Sequence, residues 1–255
     1  MIGANTTERF SDRVADYTRY RPDYPPALLD WLRDELGVTP AWRVADVGAG
    51  TGISSKLFLD AGYRVTAVEP NAAMRAAMTE WLGGAPGFRA VDGRADATGL
   101  PDGNVDLVTV AQAFHWFGPE TARHEFRRIL RPRGLIAIWW NSRRSAGTLF
   151  LDGYEALLRQ YGTDYASVAE RHQDDESMRK WFGQGLRGEA HFEHHKRLDF
   201  DGLRGRLMSS SYAPKAGHPN HDPMMAALRE LFDASTVDGM VSMDYDTRVF
   251  AGKAA

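Results

Sequence analysis

A chain of 255 residues, 43% of them hydrophobic, buries roughly 70–75% of its unfolded surface, a core that needs no covalent staples. It has no cysteine, which excludes disulfides, zinc thiolates and thiol nucleophiles. A formal charge of −3 supplies no field for nucleic acid, and no apolar run approaches membrane-spanning length, so neither partner is expected.

The opening MIGANTTERFSDRVADY is polar and lacks an apolar h-region, so no signal peptide is expected and a cytoplasmic setting fits. PPALLDWLRDEL (25–36) reads as a helix, with proline in its first turn and leucines at four-residue spacing. WRVADV (42–47) is a short apolar strand, interrupted by GAGTG. ISSKLFLDAG then reads as a helix ending near Gly62, and RVTAVE (64–69) as a second strand. NAAMRAAMTEWL (71–82) is a helix with Asn71 as its N-cap. GFRAVDGRAD holds a third strand and VDLVTV (105–110) a fourth. PETARHEFRRIL (119–130) is a helix that RPRG stops, and LIAIWW (135–140) is a fifth strand. Arg123, Arg127 and Arg131 recur every four residues as a solvated helix face. Residues 142–190 read as largely helical, anchored by Trp181 and Phe182. HFEHHKRLDF reads as a strand, DPMMAALRELFD (222–233) as a helix, and MVSMDYDTRVFAGKA as a terminal strand bent at 244–246. Strands alternating with helices argue for an α/β fold around a mostly parallel sheet.

The chemistry concentrates in D46-V-G48-A-G50-T-G52, between a strand and a helix. Glycines there let the backbone turn tightly and approach a ligand at the positive end of the next helix. Counting from Gly48, the sixth position is Ile53, so the dinucleotide spacing G-x-G-x-x-G fails, and no phosphate-loop spacing is met. Glu69 ends the second strand, where a carboxylate can accept both hydroxyls of a ribose.

These motifs resemble the class I S-adenosylmethionine-dependent methyltransferases. RVADVGAGTG, AVEPNAAM, GRADATGLP, VDLVTVAQAFHWF and LRPRGLIAIW carry the likeness over residues 42–141. The opening FSDRVADYTRYRPDYPPALLDWL also resembles the small-molecule subgroup that includes trans-aconitate methyltransferase-like enzymes. The resemblance implies a Rossmann-like, mostly parallel seven-stranded sheet with a helical insertion after strand five. It implies one domain, with residues 1–40 as lid and first helix, 41–141 as cofactor-binding core and 142–255 as substrate-side elaboration. It also implies S-adenosylmethionine held by Gly48, Ala49, Gly50, Gly52, Glu69, Pro70 and Met74. Arg94 stands where many relatives have Asp, so adenine recognition passes to the Ala95 backbone and the Asp96 carboxylate. The Gln112 and Ala113 backbone would face the methionine part.

The acceptor side is read more coarsely. His115 and Trp116 would reach the acceptor, with His115 as the catalytic candidate and Phe117 as core. The segment before the first helix reads either as a stiff entry turn or as a lid, with Arg21 on the methionine carboxylate and Tyr17 over the sulfonium. Tyr24, Arg143 and Tyr212 are further substrate candidates. Arg143 and Arg144 could greet an acidic acceptor. Ser210, Ser211 and Tyr212 form a polar loop that either enters the pocket or is an ordinary turn. His191, His194 and His195 are no metal site, because strand alternation turns His194 away from the other two. The expected activity is methyl transfer to a small molecule, on a carboxylate or hydroxyl of a metabolite. The alternatives are a cofactor-binding module acting through partners, and a methyltransferase acting on tRNA or protein. The sequence leaves the oligomeric state open.

Overall fold

The computed structural model describes residues 20–165 and 175–253. In chain order its elements are α1 (Pro26–Leu36), β1 (Arg43–Val47), α2 (Ile53–Asp60), β2 (Arg64–Val68), α3 (Ala72–Leu82), β3 (Phe88–Val91) and β4 (Val105–Ala111). There follow α4 (Pro119–Ile129), β5 (Leu130–Arg143), α5 (Leu149–Tyr161), α6 (Asp175–Phe182), β6 (Leu186–Leu198), α7 (Phe200–Met208), α8 (His221–Ser235) and β7 (Val241–Gly252). The strands form one sheet in the order β3-β2-β1-β4-β5-β7-β6. The first five run parallel, while β7 lies antiparallel to β5 and β6 antiparallel to β7.

The local chemistry explains the boundaries. Gly37, at φ +68°, ends α1 with its N–H on the carbonyls of Leu32 and Arg33, a left-handed cap that a side chain would strain. The Asn71 side chain caps α3 by accepting from the Met74 N–H at 3.0 Å. β4 is apolar almost throughout because helices cover both faces of the sheet. One face buries Val108, Val110, Ile138 and Trp140 under α4 and α6. The other buries Leu107, Ala137 and Trp139 under α1 and α2. Adjacent tryptophans therefore serve opposite cores, as the two-residue strand period requires.

Three expectations change. Residues 186–190 belong to β6 rather than to a helical stretch, because that edge strand alternates half-buried and exposed residues from Leu186 onward. β7 is not bent at 244–246, since its pairing with β6 runs through those residues without a register shift. Arg123 is not on a solvated face: its guanidinium lies 4.9 Å from the Trp181 ring centroid. The helix α7, unassigned from sequence, joins α5 and α8 over Val241, Met243 and Tyr245, a third apolar cluster beyond the end of β5. No helix among the described residues is long and apolar enough to cross a membrane.

One buried clasp fixes the β3–β4 connection against α4. Glu125 accepts from the Thr98 N–H at 2.8 Å and the Thr98 hydroxyl at 2.5 Å, and pairs with Arg128 at 2.7 Å. The Arg128 hydrogen bonds, with Thr98, pull its pKa down from 4.5 to about 2, against the cost of burial. A carboxylate with a depressed folded-state pKa adds stability above its unfolded pKa and loses it as pH falls toward the folded value. Glu125→Gln should therefore cost about 2 kcal/mol at pH 7. It should also flatten the stability loss between pH 4.5 and about 2. Denaturant midpoints across that range check both.

Candidate active site

The site begins where β1 ends. Asp46 is 1% exposed and accepts from Ser54 Oγ at 2.5 Å, Ser55 Oγ at 2.6 Å and Thr109 Oγ1 at 3.0 Å. Burial raises its pKa, and the three hydroxyls pull against that. This carboxylate ties the end of β1 to the first turn of α2 and to β4. Nothing in the motif spacing assigns that role; the adjacent serines at the start of α2 were the signal.

The glycine loop then crosses the end of β2, with the Gly48 and Ala49 N–H groups both donating to the Val68 carbonyl. Its three glycines do different work. A Cβ on Gly48 would lie 2.7 Å from Ala113 Cβ, and one on Gly52 would lie 2.7 Å from Leu82 Cδ1. At Gly50 a Cβ would meet only Met74 Sδ, at 3.9 Å. All three sit at positive φ, so all three are strained by a side chain. Gly48 and Gly52 thus pack against the protein, and Gly50 faces open space.

Glu69 closes the loop. Its Oε2 accepts from the Gly50 N–H and its Oε1 from the Asn71 N–H, both at 2.8 Å. Burial pushes its pKa up, while those two N–H groups and Arg75 hold it down. Each oxygen keeps a further lone pair, so the carboxylate can still accept two hydroxyls. Pro70 follows it, and Met74 stands on the first turn of α3 beside Gly50. Ala95 is buried inside a tight turn in which the backbones of Arg94 and Ala97 pair with each other. Asp96 is 43% exposed and its carboxylate accepts from Arg94 Nε at 3.2 Å, so the departure at position 94 gives Asp96 a partner within the turn.

Past the end of β4 the chain turns sharply at Gln112, whose φ of +58° is rare for a residue with a side chain. Such strain costs on the order of 1–3 kcal/mol and persists only where surrounding bonds impose it. Here the Gln112 N–H donates to the Trp139 carbonyl, and Gln112 Nε2 donates to the Asn141 carbonyl, each at 3.0 Å. The turn seats Ala113 against Gly48 and sends Phe114 into the core, 5.0 Å from the Trp181 ring. His115, Trp116 and Phe117 are all half-buried: the Phe117 ring meets Phe114 edge-on at 6.1 Å, and the His115 ring lies 4.7 Å from that of Trp116.

Other candidates are already engaged. Tyr17 lies outside the described residues. Arg21 Nη2 donates to the Ser209 carbonyl at 2.9 Å, which ties the entry segment to the end of α7. Tyr24 is drawn into the core instead of a substrate pocket, edge-on to Trp139 at 5.6 Å. Asn141, which motif reading passed over, donates to the Asp23 carbonyl at 2.9 Å and accepts from the Thr247 hydroxyl at 2.7 Å. Arg143 pairs with Glu155 at 2.5 Å and donates to the Tyr165 hydroxyl, so its charge is neutralised inside the protein. Arg144 is likewise held by Asp246 and Glu193. Tyr212 stacks edge-on against Tyr165 at 5.0 Å, and Ser210 is fully buried rather than in an open loop. On β6, His194 turns inward to Asp23 while His191 and His195 face outward, and no group of metal-ligating side chains occurs among the described residues.

Residues 45–138 match the family model described as a methyltransferase domain. Over these residues the chain is similar to the class I S-adenosylmethionine-dependent methyltransferases. It is similar to an uncharacterized methyltransferase of Schizosaccharomyces pombe, 36% identical over 56% of this chain and 55% of that protein. An uncharacterized methyltransferase of Mycobacterium bovis is 40% identical over 52% of each. This chain thus spans about half the length of these curated relatives. A solved structure from Anaeromyxobacter dehalogenans, provisionally assigned as a type II methyltransferase, is 25% identical over 92% of this chain and 98% of that one, with a TM-score of 0.69.

The two kinds of glycine separate in experiment. Gly48→Ala and Gly52→Ala should each destabilise the fold by about 2–4 kcal/mol, from overpacking added to left-handed strain. Gly50→Ala should cost only about 1 kcal/mol, the strain alone. Chemical denaturation of the three variants ranks them, and equal losses would mean that Gly50 is not on the open side.

Proposed function

We propose that this chain transfers a methyl group from S-adenosylmethionine to a small-molecule acceptor held beyond the carboxyl ends of β4 and β5. The observation that carries the reading is the Glu69 carboxylate hooked onto the Gly50 N–H, next to the one loop glycine that opens on space. The residues suit the cofactor: Glu69 retains acceptor capacity for ribose hydroxyls, Met74 offers an apolar flank, and Ala95 a buried backbone for the adenine. Bound there, S-adenosylmethionine supplies an already electrophilic methyl group.

The protein's own contribution is then alignment and exclusion of water, which together supply several kcal/mol of the rate. Gln112 and Ala113 present backbone at the methionine side. His115 and Trp116, on the half-buried side of the same turn, face the acceptor. A histidine there either takes a proton from a hydroxyl or, charged, holds a carboxylate. The two roles differ in sign: a base loses rate as pH falls through its pKa, whereas a carboxylate holder loses it as pH rises. A formal charge of −3 disfavours tRNA as the acceptor.

Calorimetry with S-adenosylhomocysteine should give a micromolar Kd, about −8 kcal/mol. Tight NAD binding with none to S-adenosylhomocysteine would overturn the assignment. His115→Asn should leave that Kd within about twofold and lower turnover on a metabolite panel by about 10²-fold. Normal turnover with only a lower Tm would make His115 a packing residue.

A further inference from the structure

The helix α7 carries an arginine whose surroundings do not balance its charge. Arg206 is 6% exposed, and its Nε donates to the Tyr245 hydroxyl at 3.1 Å while Nη1 donates to Ser210 Oγ at 2.9 Å. Both partners are neutral hydroxyls, and among the described residues no carboxylate reaches it. Its neighbour Arg143 has Glu155. A buried guanidinium without a counter-charge is strongly unfavourable unless something supplies the anion.

A second group there lacks a partner. Tyr154 is 1% exposed, and its hydroxyl makes no hydrogen bond. Burial pushes its pKa up, so it remains a neutral phenol and a donor. Tyr154 and Tyr212 lie within electrostatic range of both Arg206 and Arg143. Position also matters. Tyr245 pairs with Arg143 at the carboxyl end of β5, two residues past Asn141, whose carbonyl holds Gln112. The cluster and the glycine loop therefore share one edge of the sheet, and the strand rise puts Arg143 roughly 13 Å beyond Trp139, within the span of a small metabolite.

We propose that Arg206 and Tyr154 form a subsite for a carboxylate of the methyl acceptor. Arg206 supplies the charge and its remaining guanidinium donors, and Tyr154 adds a phenolic donor. A carboxylate rather than a phosphate fits because one uncompensated positive charge calls for a monoanion. The proposal rests on the reading of the chain as a small-molecule methyltransferase and names the class of its substrate.

The test is calorimetry at saturating S-adenosylhomocysteine with matched neutral and anionic probes: benzoate and benzamide, phenylacetate and phenylacetamide, and inorganic phosphate. At least one carboxylate should bind tenfold or more tighter than its amide. Arg206→Met should remove that preference. Tyr154→Phe should weaken the carboxylate three- to tenfold with Tm held or raised, since it deletes a hydroxyl that has no partner. If Arg206→Met does not fold, Arg206→Lys takes its place, keeping the charge but losing the fork, and should weaken the carboxylate at least threefold. Equal binding of acids and amides, tighter phosphate than any carboxylate, no probe bound at all, or unchanged preference in the Arg206 and Tyr154 variants overturns the subsite. Methyl transfer is scored separately as S-adenosylhomocysteine release on a panel of acids and neutral metabolites. Release on neutral acceptors alone removes the subsite and keeps the methyltransferase reading. Arg206-dependent carboxylate binding with no release on any acceptor does the reverse.

Discussion

A carboxylate buried at the end of β1 sets the position of everything around the cofactor loop. Asp46 collects hydroxyl donors from two elements, Ser54 and Ser55 on α2 and Thr109 on β4. Hydrogen bonds to a charged group contribute about 1.5–3 kcal/mol each, and losing one leaves a buried acceptor unsatisfied. The loop between Asp46 and Ser54 is thereby closed at both ends. Its middle is free to adopt three left-handed glycines because its ends cannot drift.

The same logic repeats one strand further out. Glu69 fixes the loop's middle by accepting from Gly50, and fixes the start of α3 by accepting from Asn71. Gln112 fixes the opposite wall, strained at φ +58° and held by carbonyls of Trp139 and Asn141 on β5. Three adjacent strands end, and at each end a side chain holds a neighbouring element, through its hydroxyls at Asp46 and through its backbone at Glu69 and Gln112. Open α/β sheets bind ligands at this edge because strand ends leave backbone groups uncommitted. In this chain most of those groups are committed to one another, and Gly50 is left facing outward.

Legibility from sequence followed the range of the interactions. The parallel core was readable because its strands are short apolar runs and its helices carry local caps, such as Asn71 and Gly37. The glycine spacing was readable because each glycine answers a local backbone need. The burial of His115 and Phe117 was not readable, since a turn breaks the strand period there and leaves both half-buried. What escaped was long-range. Arg21 reaches Ser209, and Asn141 joins Asp23 to Thr247 across 118 and 106 residues of chain. Tyr24 read as a substrate candidate because it sits among prolines and tyrosines, and only the fold brings Trp139 beneath it. Arg143 looked like an anion site because its partner Glu155 lies on a helix that no motif marks.

The abundance of arginine made the acceptor side hardest to read, and charge balance is what tells its arginines apart. Of the 31 basic residues, 26 are arginine, so a guanidinium by itself signals nothing. What distinguishes one from another is the company it keeps after folding. Arg128, Arg143 and Arg144 each meet a carboxylate, and their charges are internal to the structure. Arg206 meets only hydroxyls, although it is buried as deeply as any of them. Carboxylates crowd the cofactor end of the sheet edge, at Asp46 and Glu69, and the uncompensated cation stands at the other end. On the proposed reading, the ribose hydroxyls of the donor meet the first and the acid of the acceptor meets the second, so that each end of the edge is matched in charge to what it would hold.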